Sequence, residues 1–333
     1  MKLNVCWLMD RKPGHLTKVK GVLKALSYHA TINLQKIPIN WKPSFARTII
    51  PRIPLMPVEI CLGSKISHPI DLIISAGGYT EWANAKLAHK YNVPNIFMGS
   101  NRICKPAEFT ILPRLDPSDL ANVITLDYVP SEFDATMIKE SATAELPHMI
   151  GRYWTILIGG DGSGCIWSLE DHKKHAVNLI REAKVANVKI IAVSSRRTGV
   201  KAELIWKDIL EESMQLALGV WYSEANQSAQ PSIAALMGVA EMIIVTEDSA
   251  SMINEAVASG LPVITINPKI SNLDTLQENM LFALSKNHRI IRIGNTYSQL
   301  REHKITHFNA IDPEWHKEYG SQLLTRLHIK RII

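Results

Sequence analysis

The stretch Ile243-Ile-Val-Thr-Glu-Asp-Ser-Ala-Ser-Met-Ile-Asn-Glu-Ala-Val-Ala-Ser-Gly-Leu-Pro-Val263 contains the pattern strand, helix, strand within one short segment. An apolar run rich in β-branched residues ends at Thr246, and the polar residues after it suit the start of a helix over 250–259. Gly260 and Pro262 end that helix before a second apolar run begins. Two strands joined by a crossover helix lie parallel, so this stretch predicts a parallel α/β sheet.

The same alternation extends along the whole chain. Apolar runs of strand length occur at 3–9, 71–76, 95–98, 109–112, 155–158, 189–194, 242–246, 262–266 and 289–293. Helical patterns occur between them at 16–27, 81–91, 169–184, 202–218, 250–259 and 275–285. Because such repeats form right-handed, doubly wound parallel sheets, the sequence predicts an α/β protein with two Rossmann-like domains.

The length of 333 residues is about twice that of a typical domain. Prolines and a glycine interrupt an aperiodic segment near the middle of the chain, which is typical of a linker. We therefore expect an N-terminal domain over 1–130, a linker over 131–152 and a C-terminal domain over 153–308. Asp312 followed by Pro313 favours a last helix within 309–333, which we expect to pack back on the N-terminal domain.

The composition favours a packed globular protein. Hydrophobic residues make up 46% of the chain and charged residues 20%. No apolar run approaches the about 18 residues of a membrane-spanning helix, and the first residues lack a signal-peptide cleavage site. We therefore expect a cytoplasmic protein. The four cysteines are widely spaced without a Cys-x-x-Cys pair, so we expect neither a zinc site nor a disulfide framework.

His172 and His175 have a spacing that a metal ion could use. Two lysines separate them and no third ligand is apparent, so a solvated helix face is the better interpretation. We expect no metal and no cofactor.

The first 58 residues hold ten Lys or Arg residues and one acid, Asp10. Such an excess favours an anionic partner, although a solvated basic face remains an alternative. Residues 41–56 interleave apolar side chains, Phe45 and Leu55 among them, with cations, as membrane-surface segments do. A core-packing loop with exposed arginines is the alternative. We expect peripheral contact with the inner face of a membrane, a lipid-linked or anionic acceptor, and no nucleic-acid partner.

A glycine-rich loop follows the strand in Thr155-Ile-Leu-Ile-Gly-Gly-Asp-Gly-Ser-Gly164. Glycines let backbone N–H groups approach an anion, and the helix that follows would add the positive end of its dipole. The candidate diphosphate-binding residues in this loop are Gly159, Gly160, Asp161 and Ser163. The loop matches neither a Walker motif nor GxGxxG, and a plain turn remains an alternative.

The next strand delivers polar residues to its carboxyl end in Ile190-Ile-Ala-Val-Ser-Ser-Arg-Arg-Thr-Gly199. Ligands of open α/β sheets bind at that edge, and arginine forks suit phosphate oxygens. The candidate residues here are Ser195, Arg196, Arg197 and Thr198. A solvated basic turn is the alternative.

The opening stretch supplies a third set of candidates where its first strand ends and its helix begins. These residues are Thr246, Asp248, Ser249, Ser251 and Glu255. The Glu255 carboxylate lies one turn after Ser251 and can accept hydrogen bonds from the two hydroxyls of a ribose. Asp248 or Ser249 alone could equally be a helix cap.

In the first half, Asp10-Arg-Lys-Pro-Gly-His15 directly follows the first strand. His15 is a candidate base for an acceptor hydroxyl because histidine is the side chain that ordinarily exchanges a proton near neutral pH, and Asp10 is the competing candidate. A helix cap or a surface histidine is the alternative for His15. Small residues in this turn and in Ser75-Ala-Gly-Gly-Tyr-Thr80 would line the acceptor cleft, namely Gly14, Gly77 and Gly78. The second of these segments also reads as a tight turn between a strand and a helix.

Taken together, LIGGD, SSRRT, VTEDSASMINEAVASGLPV, DRKPGH and DLIISAGG resemble motifs of the mitochondrial-fission Elm family and its bacterial relatives. The resemblance spans nearly the whole chain. Two places depart from it, Lys18 in the region where family members often carry Gln, and Leu115-Asp116 where they carry a His-Asp pair. The family is similar to GT-B glycosyltransferases, especially the enzyme that adds N-acetylglucosamine to the lipid-linked peptidoglycan precursor.

The resemblance implies two Rossmann-like domains facing a cleft, with a donor nucleotide site on the second domain and an acceptor site on the first. It predicts a metal-independent glycosyltransferase whose substrate is a nucleoside-diphosphate sugar, acting in cell-envelope polysaccharide or lipid-linked glycan synthesis. A sugar-nucleotide epimerase or hydrolase is one alternative, although the sequence singles out no second acid/base carboxylate. A non-catalytic adaptor is the other, because fold alone does not decide function.

Overall fold

The computed structural model describes residues 1–42, 46–53, 56–67, 69–225, 229–294, 296–302 and 308–327. Phe45 and Leu55 of the predicted membrane segment lie outside these ranges. The chain forms two compact units. The first unit comprises Met1–Glu132 with Pro313–Ile333, and the second comprises Phe133–Asp312.

The strands, in chain order, are β1 (Lys2–Met9), β2 (Thr31–Pro38), β3 (Leu72–Ala76), β4 (Asn95–Met98), β5 (Leu112–Arg114), β6 (Val123–Thr125), β7 (Tyr153–Ile158), β8 (Cys165–Ile166), β9 (Lys189–Ser194), β10 (Leu216–Val220), β11 (Met242–Thr246), β12 (Val263–Ile266), β13 (Ile270–Ser271) and β14 (Ile291–Arg292). The helices are α1 (Pro13–Ser27), α2 (Ala46–Ile49), α3 (Glu81–Tyr91), α4 (Ala135–Glu145), α5 (Leu169–Ala186), α6 (Val200–Glu212), α7 (Ile233–Gly238), α8 (Ala250–Ala258), α9 (Thr275–Lys286), α10 (Gln299–Glu302) and α11 (Trp315–Arg326).

The main sheet of the first unit has the order β2-β1-β3-β4 and is parallel throughout. The chain passes from β1 to β2 on one side and then to β3 and β4 on the other, so the strand order reverses between β1 and β3. Such a reversal opens a crevice at the carboxyl ends of the two strands. Every residue of β3 is buried, because helices cover both faces of the sheet.

The last helix belongs to the first unit. Helix α11 packs along α1, where a Cβ on Gly320 would lie 2.0 Å from the carbonyl oxygen of Ala25. The His316 Nε2–H donates to the carbonyl of Ser131 at 2.8 Å, and Leu323 is completely buried. The chain therefore enters the first unit twice.

The main sheet of the second unit has the order β10-β9-β7-β11-β12-β14 and is also parallel throughout. The chain moves outward from β7 through β9 to β10, then returns to β11 on the other side of β7. The strand order therefore reverses between β7 and β11, and the loops after these two strands flank the crevice.

Two local predictions differ from the structure. The helix expected over 202–218 ends at Glu212, because Met214 has a left-handed φ of +57° that an α-helix cannot contain. The following apolar residues form β10 instead, so that part of the prediction is wrong. The segment predicted as a linker, 131–152, includes α4, whose start is capped by Asp134 accepting from the Met137 N–H at 2.7 Å.

The solvated face predicted for His172 and His175 is also wrong. Their exposed fractions are 2% and 1%, because Trp206 from α6 and Tyr297 cover them and bond to their ring nitrogens. No group of three side chains suited to a metal ion occurs within the described ranges. Among the helices of the described residues, none is long and apolar enough to cross a membrane.

Candidate functional site

The carboxyl ends of β7, β9 and β11 lie side by side in the second unit, and hydroxyl groups hold them together. The Gly159 N–H donates to Oγ1 of Thr246 at 2.8 Å, which joins β7 to β11. The Thr198 hydroxyl donates to the carbonyl of Ile158 at 2.7 Å and accepts from the Ser195 N–H at 2.9 Å, which joins β9 to β7. The predicted residues Thr198 and Thr246 are therefore buried, and their hydroxyl groups hydrogen-bond neighbouring strand ends to each other.

Two glycines let the three loops touch. A Cβ on Gly160 would lie 1.9 Å from the carbonyl oxygen of Arg197, and one on Gly159 would lie 2.1 Å from Oδ1 of Asp248. Glycine at 160 thus lets the backbone of the β9 loop approach, and glycine at 159 leaves room for the buried Asp248 carboxylate. Since Thr246 already binds the Gly159 N–H, this group is not free for an anion.

Arg197 reaches across the edge from the β9 loop to the β11 loop. Its Nη1 donates to the backbone carbonyl of Asp248 at 3.1 Å and lies 3.4 Å from Oδ2 of the same residue. The side chain of Arg197 remains 35% exposed, and Arg196 beside it is also exposed. This edge therefore presents guanidinium N–H groups to solvent.

The Asp248 side chain is completely buried. Neither of its oxygens accepts a hydrogen bond of normal geometry from a described residue. Burial raises the pKa of Asp248, and the nearby Thr246 hydroxyl, Arg197 guanidinium and Gly160 N–H oppose that rise. Asp248 thus contacts Arg197 rather than solvent and orients the guanidinium.

The glycine-rich loop does not run directly into a helix, so that expectation is wrong. Gly162 and Cys165 exchange backbone hydrogen bonds of 3.1 and 2.8 Å, with Ser163 and Gly164 at φ +48° and +87° between them. This is a two-residue hairpin turn. Asp161 accepts from the Trp167 N–H at 2.7 Å. At the start of α5, Ser168 and Asp171 form a capping box, so the N–H groups of these two residues are already bonded within the helix start.

Helix α8 starts at the same edge, immediately after the β11 loop. Ser249 is its N-cap and accepts from the Met252 N–H at 3.5 Å, while the Ser249 and Ser251 hydroxyls lie 3.3 Å apart. Glu255 lies one turn after Ser251 on the same face, and both residues are half-buried. Ser251 therefore lies in the first turn of α8, beside the β11 loop that Arg197 contacts, and Glu255 lies one turn further along the helix.

In the first unit, the two competing base candidates form one pair. Oδ2 of Asp10 lies 2.5 Å from Nδ1 of His15, and Oδ1 accepts from the Lys12 N–H at 3.1 Å. A carboxylate at Nδ1 holds the proton there and leaves Nε2 as a proton acceptor. Asp10 is buried and the His15 side chain is 25% exposed, so His15 is the member that a ligand can reach.

The Gly77 turn supports the imidazole. Gly77 has a φ of +83°, and a Cβ there would lie 2.1 Å from Cε1 of His15. The predicted Gly14 precedes His15 in the first turn of α1, whereas Gly78 has open space beside it. Burial lowers the pKa of Lys18, one turn beyond His15, and the charge of Asp10 opposes this shift.

A comparison with protein-family models matches residues 13–309 to the family described as Mitochondrial fission ELM1. The chain belongs to the mitochondrial fission ELM1 family. This match confirms the resemblance found in the motifs. A search of curated proteins gives no significant match for this ELM1-family chain.

Solved structures show what fold the ELM1-family chain has. It is similar to UDP-GlcNAc 2-epimerase from Methanocaldococcus jannaschii, with 13% identity over 99% of this chain and 100% of that one and a TM-score of 0.59. It is similar to S. aureus MnaA, solved with UDP, at 11% identity, 98% coverage of both chains and a TM-score of 0.54. Phytolacca americana UGT2, solved with UDP-2fluoro-glucose and pterostilbene, matches at 11% identity, covering 97% of this chain and 94% of that one, with a TM-score of 0.50. The predicted fold class, α/β of GT-B type with Rossmann-like domains, is confirmed.

Two buried glutamates of the ELM1-family chain escaped the sequence reasoning. Glu247 accepts two hydrogen bonds from Arg292, at 2.8 and 2.7 Å, and one from Thr265, which ties β11 to β12 and β14. Glu81 is completely buried at the first position of α3. Its Oε1 accepts from the N–H groups of Ile103 and Cys104 at 2.8 Å each. Glu247 directly follows β11 and Glu81 follows a strand-to-helix turn, but neither position in the sequence predicts which groups the carboxylate binds.

Proposed function

We propose that this ELM1-family protein is a metal-independent glycosyltransferase whose donor is a nucleoside-diphosphate sugar. The observation that carries the proposal is the edge of the second unit where the strand order reverses. There Gly159 and Gly160 pack the loops so closely that Arg197 spans two of them with its guanidinium partly exposed. A nucleotide diphosphate is a ligand whose charge and shape suit such an edge.

On the donor side, Arg196 and Arg197 would neutralise the diphosphate as the bond to the sugar breaks. Ser195 and the start of α8 offer further donors to phosphate oxygens. Glu255 would accept hydrogen bonds from the ribose hydroxyls. The buried Asp248 acts through Arg197, because its carboxylate would repel a diphosphate in direct contact.

On the acceptor side, Nε2 of His15 would take the proton from the attacking hydroxyl while Asp10 stabilises the imidazolium that forms. The acceptor oxygen forms a bond to the anomeric carbon, and the bond from that carbon to the diphosphate breaks. The nucleoside diphosphate leaves with the electron pair. This proposed transfer accounts for every bond and proton without a metal ion or a cofactor.

Residues 41–56 support a peripheral membrane contact, and with it a cytoplasmic location at a membrane face and a lipid-linked acceptor. Ile49 is the last residue of α2 and Ile53 follows the short helical turn Ile50–Arg52; they are 51% and 42% exposed, and Arg52 beside them is exposed as well. Tyr79, which follows the Gly77 turn, accepts a hydrogen bond from the backbone N–H of Trp41 in this segment at 3.1 Å.

Ile49→Asp is expected to weaken sedimentation with vesicles containing anionic lipid. Equal sedimentation of variant and wild type would contradict the contact.

The donor proposal is tested by thermal stabilisation with a panel of nucleoside diphosphates and their sugars. A ligand at about 100 times its dissociation constant adds about 2.7 kcal/mol of stability. We expect Arg197→Ala and Glu255→Ala each to reduce the shift. The matched control is Arg152→Ala, because Arg152 precedes β7 and so lies at the opposite end of the strand. No shift with any nucleotide would reject the glycosyltransferase and favour the adaptor.

A sugar-nucleotide epimerase is the second candidate, and Glu81 favours it. Glu81 is the additional carboxylate that such chemistry requires, and it follows the same turn that supports His15. Incubating UDP-GlcNAc with the protein in the absence of any acceptor distinguishes the two activities. An epimeric product would favour the epimerase, whereas unchanged sugar stereochemistry with bound nucleotide would favour the transferase.

A further inference from the structure

Glu81 is held at the edge where the strand order of the first unit reverses. It follows the turn Ala76-Gly-Gly-Tyr-Thr80 at the end of β3, next to β1 in the sheet. Its exposed fraction is 0%, and its Oε1 accepts from two consecutive N–H groups, those of Ile103 and Cys104. These bonds fix the carboxylate group in one orientation.

The other oxygen of Glu81 is not satisfied. Oε2 is buried and has no hydrogen-bond partner among the residues that the structure describes. A buried carboxylate oxygen loses its hydrogen bonds to water. Without a replacement donor, its burial costs free energy in the ligand-free protein. The two bonds to Oε1 hold the loop at 103–104 and fix where Oε2 lies, but they supply no donor for Oε2 itself.

Oε2 is directed at the glycine turn. A Cβ built on Gly78 would lie 4.0 Å from Oε2, and apart from Gly78 and its two chain neighbours no other described residue has an atom within 4 Å of that point. The neighbouring Gly77 is in contact with the His15 ring. The His15 imidazole therefore lies beside Gly77, and the Glu81 oxygen that lacks a hydrogen-bond donor lies beside Gly78.

We propose that Oε2 of Glu81 accepts a hydrogen bond from a hydroxyl group of a neutral polyhydroxylated ligand, and that this ligand is the acceptor of the first unit. The inference rests on the proposed function in naming the ligand an acceptor. A hydroxyl is the donor that fits, because Oε2 is an acceptor and an anionic group placed against it would meet a like charge. His15 then faces a second hydroxyl of the same ligand as its base.

The probes are methyl glucoside, methyl N-acetylglucosaminide and myo-inositol, with glucose 1-phosphate as the anionic comparison, and binding is followed by ligand-observed NMR on the full chain. The wild type is expected to bind at least one neutral probe. Glu81→Gln keeps an oxygen for Ile103 and Cys104 but replaces Oε2 by a donor. We expect it to weaken binding by about tenfold to a hundredfold with little change in melting temperature.

Gly78→Ala is the second variant. The added methyl fits at 4.0 Å from Oε2 without a left-handed backbone, so the fold is retained while the space beside the carboxylate is filled. We expect lost binding at unchanged stability. Glu108→Gln is the matched control, because the Glu108 carboxylate accepts from the Lys105 N–H at 2.6 Å in the same loop but is exposed.

Unchanged binding in both Glu81→Gln and Gly78→Ala would overturn the inference and leave Glu81 as a loop support. Absence of binding by every neutral probe, or preference for glucose 1-phosphate, would overturn it too. Nucleotide binding by the second unit is measured separately on the same samples. Nucleotide binding without polyol binding therefore rejects this inference alone, and polyol binding without nucleotide binding rejects only the glycosyltransferase.

Discussion

At the scale of single residues, the contact between Asp10 and Nδ1 of His15 sets which imidazole nitrogen can take a proton. An asparagine amide can present either its oxygen or its nitrogen to the ring, so Asp10→Asn is expected to increase the Nε2–H tautomer of His15. The ¹⁵N chemical shifts of the imidazole measure this change. Since general-base catalysis contributes about 10²- to 10⁴-fold, any transfer activity should fall towards that of His15→Gln.

Asp116→Asn is the control for the tautomer measurement, because Asp116 is exposed. An unchanged tautomer ratio in Asp10→Asn would show that the carboxylate does not orient His15.

Residue types at strand ends were sufficient to predict Arg197, His15 and Asp10 as candidates. The sequence could not show that Thr246 and Asp248 are buried, because burial depends on which loops the sheet order brings together. The role of Glu81 was invisible for the same reason. Its partners, Ile103 and Cys104, are distant along the chain and become neighbours only through the pairing of β3 with β4.

At the scale of elements, the hairpin between Gly162 and Cys165 limits what the glycine-rich loop can be. Gly164 has a φ of +87°, and a Cβ there would lie 1.8 Å from the carbonyl oxygen of Asn272. Gly164→Ala therefore combines backbone strain with a clash. We expect it to lower the free energy of unfolding by more than about 2 kcal/mol, measured by urea denaturation.

Gly199→Ala separates the two causes. Gly199 has a φ of +72°, but nothing lies within 4 Å of its added Cβ. Only the strain remains, and at φ +72° and ψ 151° it costs about 1–3 kcal/mol. Equal losses in the two variants would contradict the close packing of the hairpin on residue 272.

The contact of α11 with α1 depends on Gly320. A valine there would drive its Cβ into the carbonyl of Ala25, so Gly320→Val is expected to lower the free energy of unfolding by about 1–3 kcal/mol or more. Gln322→Val places the same side chain at an exposed position of the same helix and is the control. If calorimetry showed the same melting temperature for both variants, it would argue against close packing of α11 on α1.

Strands buried on both faces, such as β3 and β11, were predictable because their apolar runs are uninterrupted. The edge strand β2 was missed, because it carries polar residues on its partly exposed side. The misassigned β10 is likewise at a sheet edge and continues the apolar pattern of α6. The edge strands β4 and β14 were predicted, so it is the polar or helix-like pattern of β2 and β10 that prevented their assignment.

At the scale of the whole molecule, the buried pair His172 and His175 makes stability depend on pH. Desolvation lowers the pKa of each to about 4, from an ordinary value near 6.5. The unfolded chain therefore binds more protons between these values, and the folded state loses stability as pH falls from about 6.5 to about 4. The loss is at most about 3 kcal/mol per histidine.

Urea denaturation at pH 7 and at pH 5 measures this dependence. The double variant His172→Gln and His175→Gln is expected to be less stable at pH 7, because Trp206 and Tyr297 lose their ring partners, yet to depend less on pH. His148→Gln changes an exposed histidine and should keep the wild-type dependence. If the free energy of unfolding of the double variant changed between pH 7 and pH 5 as much as that of the wild type, the pH-sensitive groups would be other residues.

The return of the chain to the first unit also has a consequence for its synthesis. A ribosome makes residues 1–132 first and adds α11 only after the whole second unit, an interval of about 10 to 40 s at usual elongation rates. During that time the apolar side of α1 lacks its cover and is a surface for chaperones. Nascent chains stalled before Pro313 are therefore expected to be cut in the first unit by protease faster than released chains.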